Sequence, residues 1–220
     1  MGVKGFFRFG LILSALTGVF FLTSNATGAD MTESDKNWDK VFAKSDMVDA
    51  SKVSFKNRYG IELTGDLYLP KGKASEKLAA IAVSGPFGAV KEQASGLYAQ
   101  TMAERGFAAL AFDPSYTGES GGEPRLVASP DINTEDFSAA VDFLSNLPNI
   151  DAERIGIIGI CGFGGFALNA AAIDTRIKAT LTSTMYDMSR VNAKGYFDAM
   201  GEEERYALKQ KLNAQRSVDF

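Results

Sequence analysis

Three stretches of this chain are apolar without alternation: residues 78–85 (LAAIAVSG), 107–113 (FAALAFD) and 154–160 (RIGIIGI). A strand with one wet face alternates apolar and polar residues, whereas a strand that reads apolar throughout is buried on both faces. Burial on both faces demands helices above and below, and the intervening segments supply them. Residues 92–105 carry Leu97, Tyr98, Met102 and Arg105 at near-helical spacing, with Gly106 as the stop. Residues 134–147 put Phe137, Val141 and Leu144 on one face, and Glu135 and Asp136 in a first turn where the helix dipole favours carboxylates. After the third apolar run comes GFGGFALNAAA, a small-residue helix, and then a further strand at 177–185. Such alternation predicts an α/β fold, a doubly wound, mostly parallel sheet. An antiparallel N-terminal hairpin precedes it, because KVSFKN and IELTGDLYLP alternate on either side of a Tyr59–Gly60 turn.

The ends of the chain read differently. Lys4 and Arg8 precede fourteen apolar residues, FGLILSALTGVFFL, and small residues follow them. This is the pattern of a secretory signal peptide over 1–29, cleaved after Ala29 or after Ala26, with an uncleaved anchor as the alternative. The apolar run is short for a spanning helix, which needs roughly 20 residues, so no stable membrane span is expected after cleavage. A periplasmic or secreted protein follows. Residues 30–50 are polar, with Trp38 and Phe42 as large anchors, and read as a linker holding one short helix. The domain then runs over 51–220. Residues 189–217 are charged and helical, either the start of a lid or a solvated surface helix. A net charge of -4 without a Lys/Arg cluster argues against nucleic-acid binding. No metal or organic cofactor is implied, since no ligand cluster exists.

In open α/β sheets ligands bind beyond the carboxyl ends of the strands. Residues 84–90, 113–122 and 159–165 converge there. The last of these holds Cys161, the one cysteine in 220 residues, between Gly159 and Gly162. A nucleophile on a sharp strand-to-helix turn is exposed above the sheet, and small neighbours make room for it. A helix N-terminus favours a thiolate, and the N–H of the next residue points where an oxyanion would form.

GICGFGG resembles the nucleophile elbow of the alpha/beta-hydrolase superfamily, in its dienelactone-hydrolase-like branch, which uses Cys. The hairpin and the FDPSYTGESGG loop match as well. The resemblance implies Cys161 as nucleophile, Gly162 as first oxyanion donor through its backbone N–H, and a second donor from SGPFGAVKEQ. Phe87 is the candidate there and Gly88 the alternative. It implies structural roles for Asp113 and Gly118, with Asp113 satisfying nearby N–H groups. The substrate implied is a small-molecule ester, lactone or thioester.

Two departures qualify the match. Phe163 stands two residues after Cys161, where the pattern has a small residue, so its ring should point into the pocket. The resemblance also implies an acid and a histidine further on. The chain has no histidine, and Asp187 is a weak candidate acid that more naturally caps the next helix. The reading is therefore the N-terminal portion of a cysteine hydrolase, with an incomplete triad. The alternatives are a catalytically dead binding protein of hydrolase fold, pairing with a second copy through an open edge at 177–185, or a truncation product.

Overall fold

The computed structural model describes residues 38–73 and 75–220. The signal-peptide reading of 1–29, and the linker as far as residue 37, lie outside the described residues. The stretch in which a short helix is expected begins outside the described residues, and residues 38–47 of it form bends and turns without a helix. They are pinned by Trp38, whose Nε1 donates to the Phe42 carbonyl at 2.6 Å and whose ring meets that of Phe42 edge-on.

The strands are β1 Val48–Lys56, β2 Glu62–Pro70, β3 Leu78–Ser84, β4 Ala108–Phe112, β5 Ile150–Ile160 and β6 Ile177–Ser183. They form one sheet in the order β1-β2-β4-β3-β5-β6. β1 and β2 pair antiparallel, as does β2 with β4, and the remaining neighbours are parallel. The expected mostly parallel sheet with an antiparallel start is the observed one. β1 begins at Val48 rather than 51, because buried Val48 already pairs with Pro70.

Helix α1, Ala94–Glu104, packs on one face of the sheet beside β3 and β4. Its buried side is Ser95, Gly96, Ala99, Gln100 and Ala103, while Leu97 is exposed. Of the residues expected on the packed side, Tyr98 and Met102 do pack against the core while Leu97 and Arg105 are exposed, and small residues between them let the helix backbone approach the strands closely. Helices α2, Pro130–Ser145, and α3, Phe163–Ile173, cover the other face. Their side chains Phe137, Val141, Leu144, Phe166 and Ala167 fill a core with Leu110, Phe112, Ile155 and Ile157.

α2 starts at Pro130, not 134. Ser129 caps it, accepting from the Ile132 N–H, and proline suits the first helical position. Glu135 and Asp136 therefore lie beyond the first turn and are buried, which corrects their assignment to the helix dipole. Asp136 instead accepts from Asn57 Nδ2 at 2.9 Å, the Ser115 N–H at 2.8 Å and Asn133 Nδ2 at 3.1 Å, joining three segments. Burial pushes its carboxyl above the ordinary value, against the pull of these hydrogen bonds.

Beyond β6 come α4 Met188–Lys194, a 3-10 turn Tyr196–Asp198 and α5 Glu202–Asp219. No residue of α5 is buried, whereas Met188, Ser189 and Asn192 of α4 line the cavity described below. Among the described residues, no helix is long and apolar enough to cross a membrane. On the α1 face an apolar groove of about 530 Å³ runs beside β6, lined by Ile81, Met102, Ile158, Ala179 and Leu181.

Candidate active site

β5 delivers the chain to the carboxyl edge of the sheet at Ile160, and the next residue turns sharply. Cys161 has φ +58°, a left-handed backbone that a residue with a Cβ adopts at a cost. Two hydrogen bonds hold it there: its N–H donates to the Ser183 carbonyl of β6 at 2.8 Å, and its carbonyl accepts from the Gly164 N–H at 3.1 Å. Gly162 returns to helical angles as the N-cap of α3. The glycines on either side of Cys161 are required by space. A Cβ on Gly159 would stand 2.4 Å from the Phe163 carbonyl oxygen, and one on Gly162 would stand 2.0 Å from the Phe87 ring. The strained strand-to-helix bend expected at the lone thiol is present.

The Cys161 side chain is half-buried, and its Sγ lies 3.0 Å from the Tyr186 hydroxyl. This hydrogen bond, and then the charge the sulfur can carry, push the Tyr186 phenol above its ordinary value. Tyr186 therefore keeps its proton through neutral pH and donates to Sγ whenever the sulfur is a thiolate. Beside the bend opens a cavity of about 450 Å³, lined by Phe87, Gly162, Phe166, Met185, Tyr186 and Asp187 among others. Phe163 does not line it. Its ring is 2% exposed and packs against Phe87, Phe137 and Phe166. This corrects the expectation that it points into the pocket: the first turn of α3 directs that side chain down into the core, where three other rings receive it.

The loop after β3 is held from several sides. Ser84 Oγ donates to the Phe112 carbonyl at 3.1 Å, Ser95 Oγ to the Gly85 carbonyl at 2.6 Å, and the Lys91 N–H to Asp113 Oδ1 at 2.7 Å. Between these anchors lie Phe87 and Gly88. Among the described residues no hydrogen bond occupies the N–H of Phe87, Gly88 or Gly162. The structure brings Phe87 against Gly162 at the mouth of the cavity, and both candidate second donors are free to bind.

Asp113 has the structural role expected of it, and more. Besides Lys91 N–H it accepts the Glu119 N–H at 3.0 Å, and its Oδ2 lies 3.2 Å from Lys91 Nζ. The Lys91 side chain is fully buried and also meets Glu119 at 2.6 Å and Glu92 at 2.5 Å. Burial alone would lower this ammonium, but the three carboxylates outweigh it and hold it above its ordinary range. Gly118 has φ +56°, and a Cβ there would stand 2.2 Å from Asp113 Oδ2. Asp187 caps α4, accepting from the Arg190 N–H at 2.9 Å and from Ser189 Oγ at 2.6 Å. These bonds, the serine's first, keep its carboxyl below the ordinary range.

The sequence alone does not mark Tyr186 or Lys91 as partners of Cys161 and Asp113. A tyrosine three residues beyond β6 has no spacing signal, because its contact with Cys161 spans 25 residues. A mostly parallel sheet with an antiparallel start, an elbow residue at positive φ and a neighbouring loop whose Phe87 ring lies against Gly162 define an alpha/beta hydrolase.

Sequence comparison narrows this class. The chain belongs to the X-Pro dipeptidyl-peptidase (S15) family, which matches residues 59–217. It is 63% identical over 198 residues to the Pseudomonas aeruginosa protein PA2218, covering 90% of this chain and 53% of that protein. The crystal structure of PA2218 superposes with a TM-score of 0.81 over 84% of this chain and 57% of that one. A thiohydrolase, aneE, from Aspergillus aculeatus is 37% identical over 132 residues, 60% of this chain and 40% of the relative. The alpha/beta hydrolase GrgF from Penicillium sp. sh18 gives a TM-score of 0.65 at 26% identity over 77% of this chain and 54% of that one. The chain spans about half the length of the curated relatives it matches.

Proposed function

We propose that the protein is an exported hydrolase of small esters or thioesters that works by acyl transfer to Cys161. The observation that carries this is the thiol at φ +58° above the sheet, within 3.0 Å of a hydroxyl and beside a cavity. The thiolate adds to the carbonyl carbon and the S–C bond forms. The Gly162 N–H and the Phe87 N–H, or that of Gly88, hold the developing oxyanion. The bond to the leaving group then breaks, and the group departs with its electron pair. A thioester donor is supported by the thiohydrolase relative, and a cysteine at the elbow suits the dienelactone-hydrolase-like branch. Export, to the periplasm or beyond, is supported by the pattern of residues 1–29.

Hydrolysis of the acyl-enzyme needs a base to activate water, a role worth about 10²–10⁴-fold. The 220 residues contain no histidine to fill it. The expected result with an activated ester is therefore one acyl group per chain, located on Cys161 by peptide mass, without sustained turnover. A Cys161→Ala chain that acquires the same acyl group would overturn the proposal. The lack of histidine also favours a second reading, a binding protein of hydrolase fold, in which the cleft holds a ligand without acylation and the exposed β6 edge pairs with a second copy. Absence of any acyl adduct, together with a dimer in sedimentation, is the outcome that reading requires.

A further inference from the structure

We infer that the acyl group accepted by this site is uncharged and largely apolar, and that Asp187 selects against acyl groups ending in a carboxylate. The inference rests on Cys161 being the acylated residue, and it adds the class of acyl group.

The cavity lining carries it. Phe166, Leu168, Met185 and Met188 give the cavity apolar walls, Asn169, Ser189 and Asn192 add neutral polar groups, and among the described residues no lysine or arginine lines it. The acidic residue that does line it is Asp187. Its two cap hydrogen bonds keep that carboxylate ionised at neutral pH. Arg190, the cation a turn away, is committed elsewhere: its guanidinium clasps the Asp198 carboxylate, with Nε 2.8 Å from Oδ1. An acyl chain ending in a carboxylate would thus exchange water for a lining that offers amide and hydroxyl groups but no counter-ion, and it would face the negative charge of the exposed Asp187. Partial desolvation without an opposite charge is costly, and the like charge adds a screened repulsion. A neutral chain of the same length meets neither penalty and gains by covering the walls.

The test uses the full chain and two p-nitrophenyl esters of matched length, hexanoyl and the singly esterified adipoyl. Both transfer their acyl group by the same step, releasing p-nitrophenolate, while the thiol proton passes to the buffer. Rates are normalised to those with free cysteine. The expected result is acylation of Cys161 by the hexanoyl ester about tenfold or more faster than by the adipoyl ester. Asp187→Asn retains an N-cap side chain of equal quality and narrows that gap by about threefold, the scale of one screened charge. Equal normalised rates on Cys161 would overturn the inference while leaving the acyl-transfer reading intact. An unchanged gap in Asp187→Asn would overturn the role of Asp187. Failure of both esters to acylate Cys161 would sink that reading and the inference with it.

Discussion

Two strand ends flank β3 at the same edge of the sheet, and their chemistry is opposite. β4 runs into Asp113, which is wholly buried, accepts two backbone N–H groups and meets the Lys91 ammonium. β5 runs into Cys161, which is half-exposed, strained and bonded through its side chain to one hydroxyl. The first end is a closed polar knot whose partners are all protein groups. The second leaves N–H groups of described residues without a hydrogen bond and a thiol beside an open cavity. A charged residue at a sheet's carboxyl edge therefore does not by itself mark a site. What distinguishes the two is whether the hydrogen-bonding capacity is already spent.

If that contrast is right, damage to the first end should cost stability and damage to the second should cost chemistry. The largest effect is expected for Asp113→Ala, which leaves two backbone N–H groups without their acceptor and takes one of three carboxylates from the buried Lys91 ammonium. Urea unfolding should show a loss of about 3 kcal/mol, with Asp113→Asn losing less. Next, Gly162→Ala drives a methyl into the Phe87 ring and moves the loop that carries the second donor. Acylation should fall about a hundredfold, as for a misplacement near 1 Å, read from the p-nitrophenolate burst. Gly118→Ala forces a Cβ onto the Asp113 carboxylate at a positive φ, and should cost about 2 kcal/mol in urea. Tyr186→Phe removes the hydroxyl at Sγ. It should slow acylation about fivefold, the worth of one hydrogen bond, and leave the unfolding midpoint unmoved. A stability loss from Tyr186→Phe, or a chemical defect from Gly118→Ala without one, would break the contrast.

The smallest effect concerns acid. Hydrogen bonds from Lys52 and then Lys91 hold the Glu119 carboxyl below its ordinary value of 4.5. A depressed carboxyl contributes stability that is complete above the unfolded-state value and is lost as the pH falls through the folded-state one. The urea midpoint should therefore hold steady from neutral pH down to about pH 5 and decline below it. Glu119→Gln should flatten part of that decline, and only part, because the side chain is about half exposed and screened.

The sequence disclosed most clearly what depends on local pattern. The three apolar runs became β3, β4 and β5, and the small-residue flanks of Cys161 announced the bend. It disclosed less where small residues do the packing. On α1 the large Tyr98 and Met102 pack as their spacing suggested, but the fully buried positions are mostly glycine, serine and alanine, which spacing of large residues does not mark. The start of α2 was legible in Ser129–Pro130, a cap followed by a proline, and was lost to the more visible acidic pair downstream. Phe163 went the other way because position in a motif says nothing of which way a ring turns. The contact that completes the candidate site, Tyr186 to Cys161, and the one that closes the polar knot beside it, Lys91 to Asp113, join segments 25 and 22 residues apart. Such pairings exist only once the sheet has ordered its strands.

The lone thiol on its bend also gives the molecule a unique handle. A maleimide dye or a spin label reacts with one position in 220 residues, and that position is tied to β6 through the Ser183 carbonyl. A fluorophore placed there needs no engineered cysteine, and its emission would report ligand entry into the cleft and the docking of β6 in the same trace.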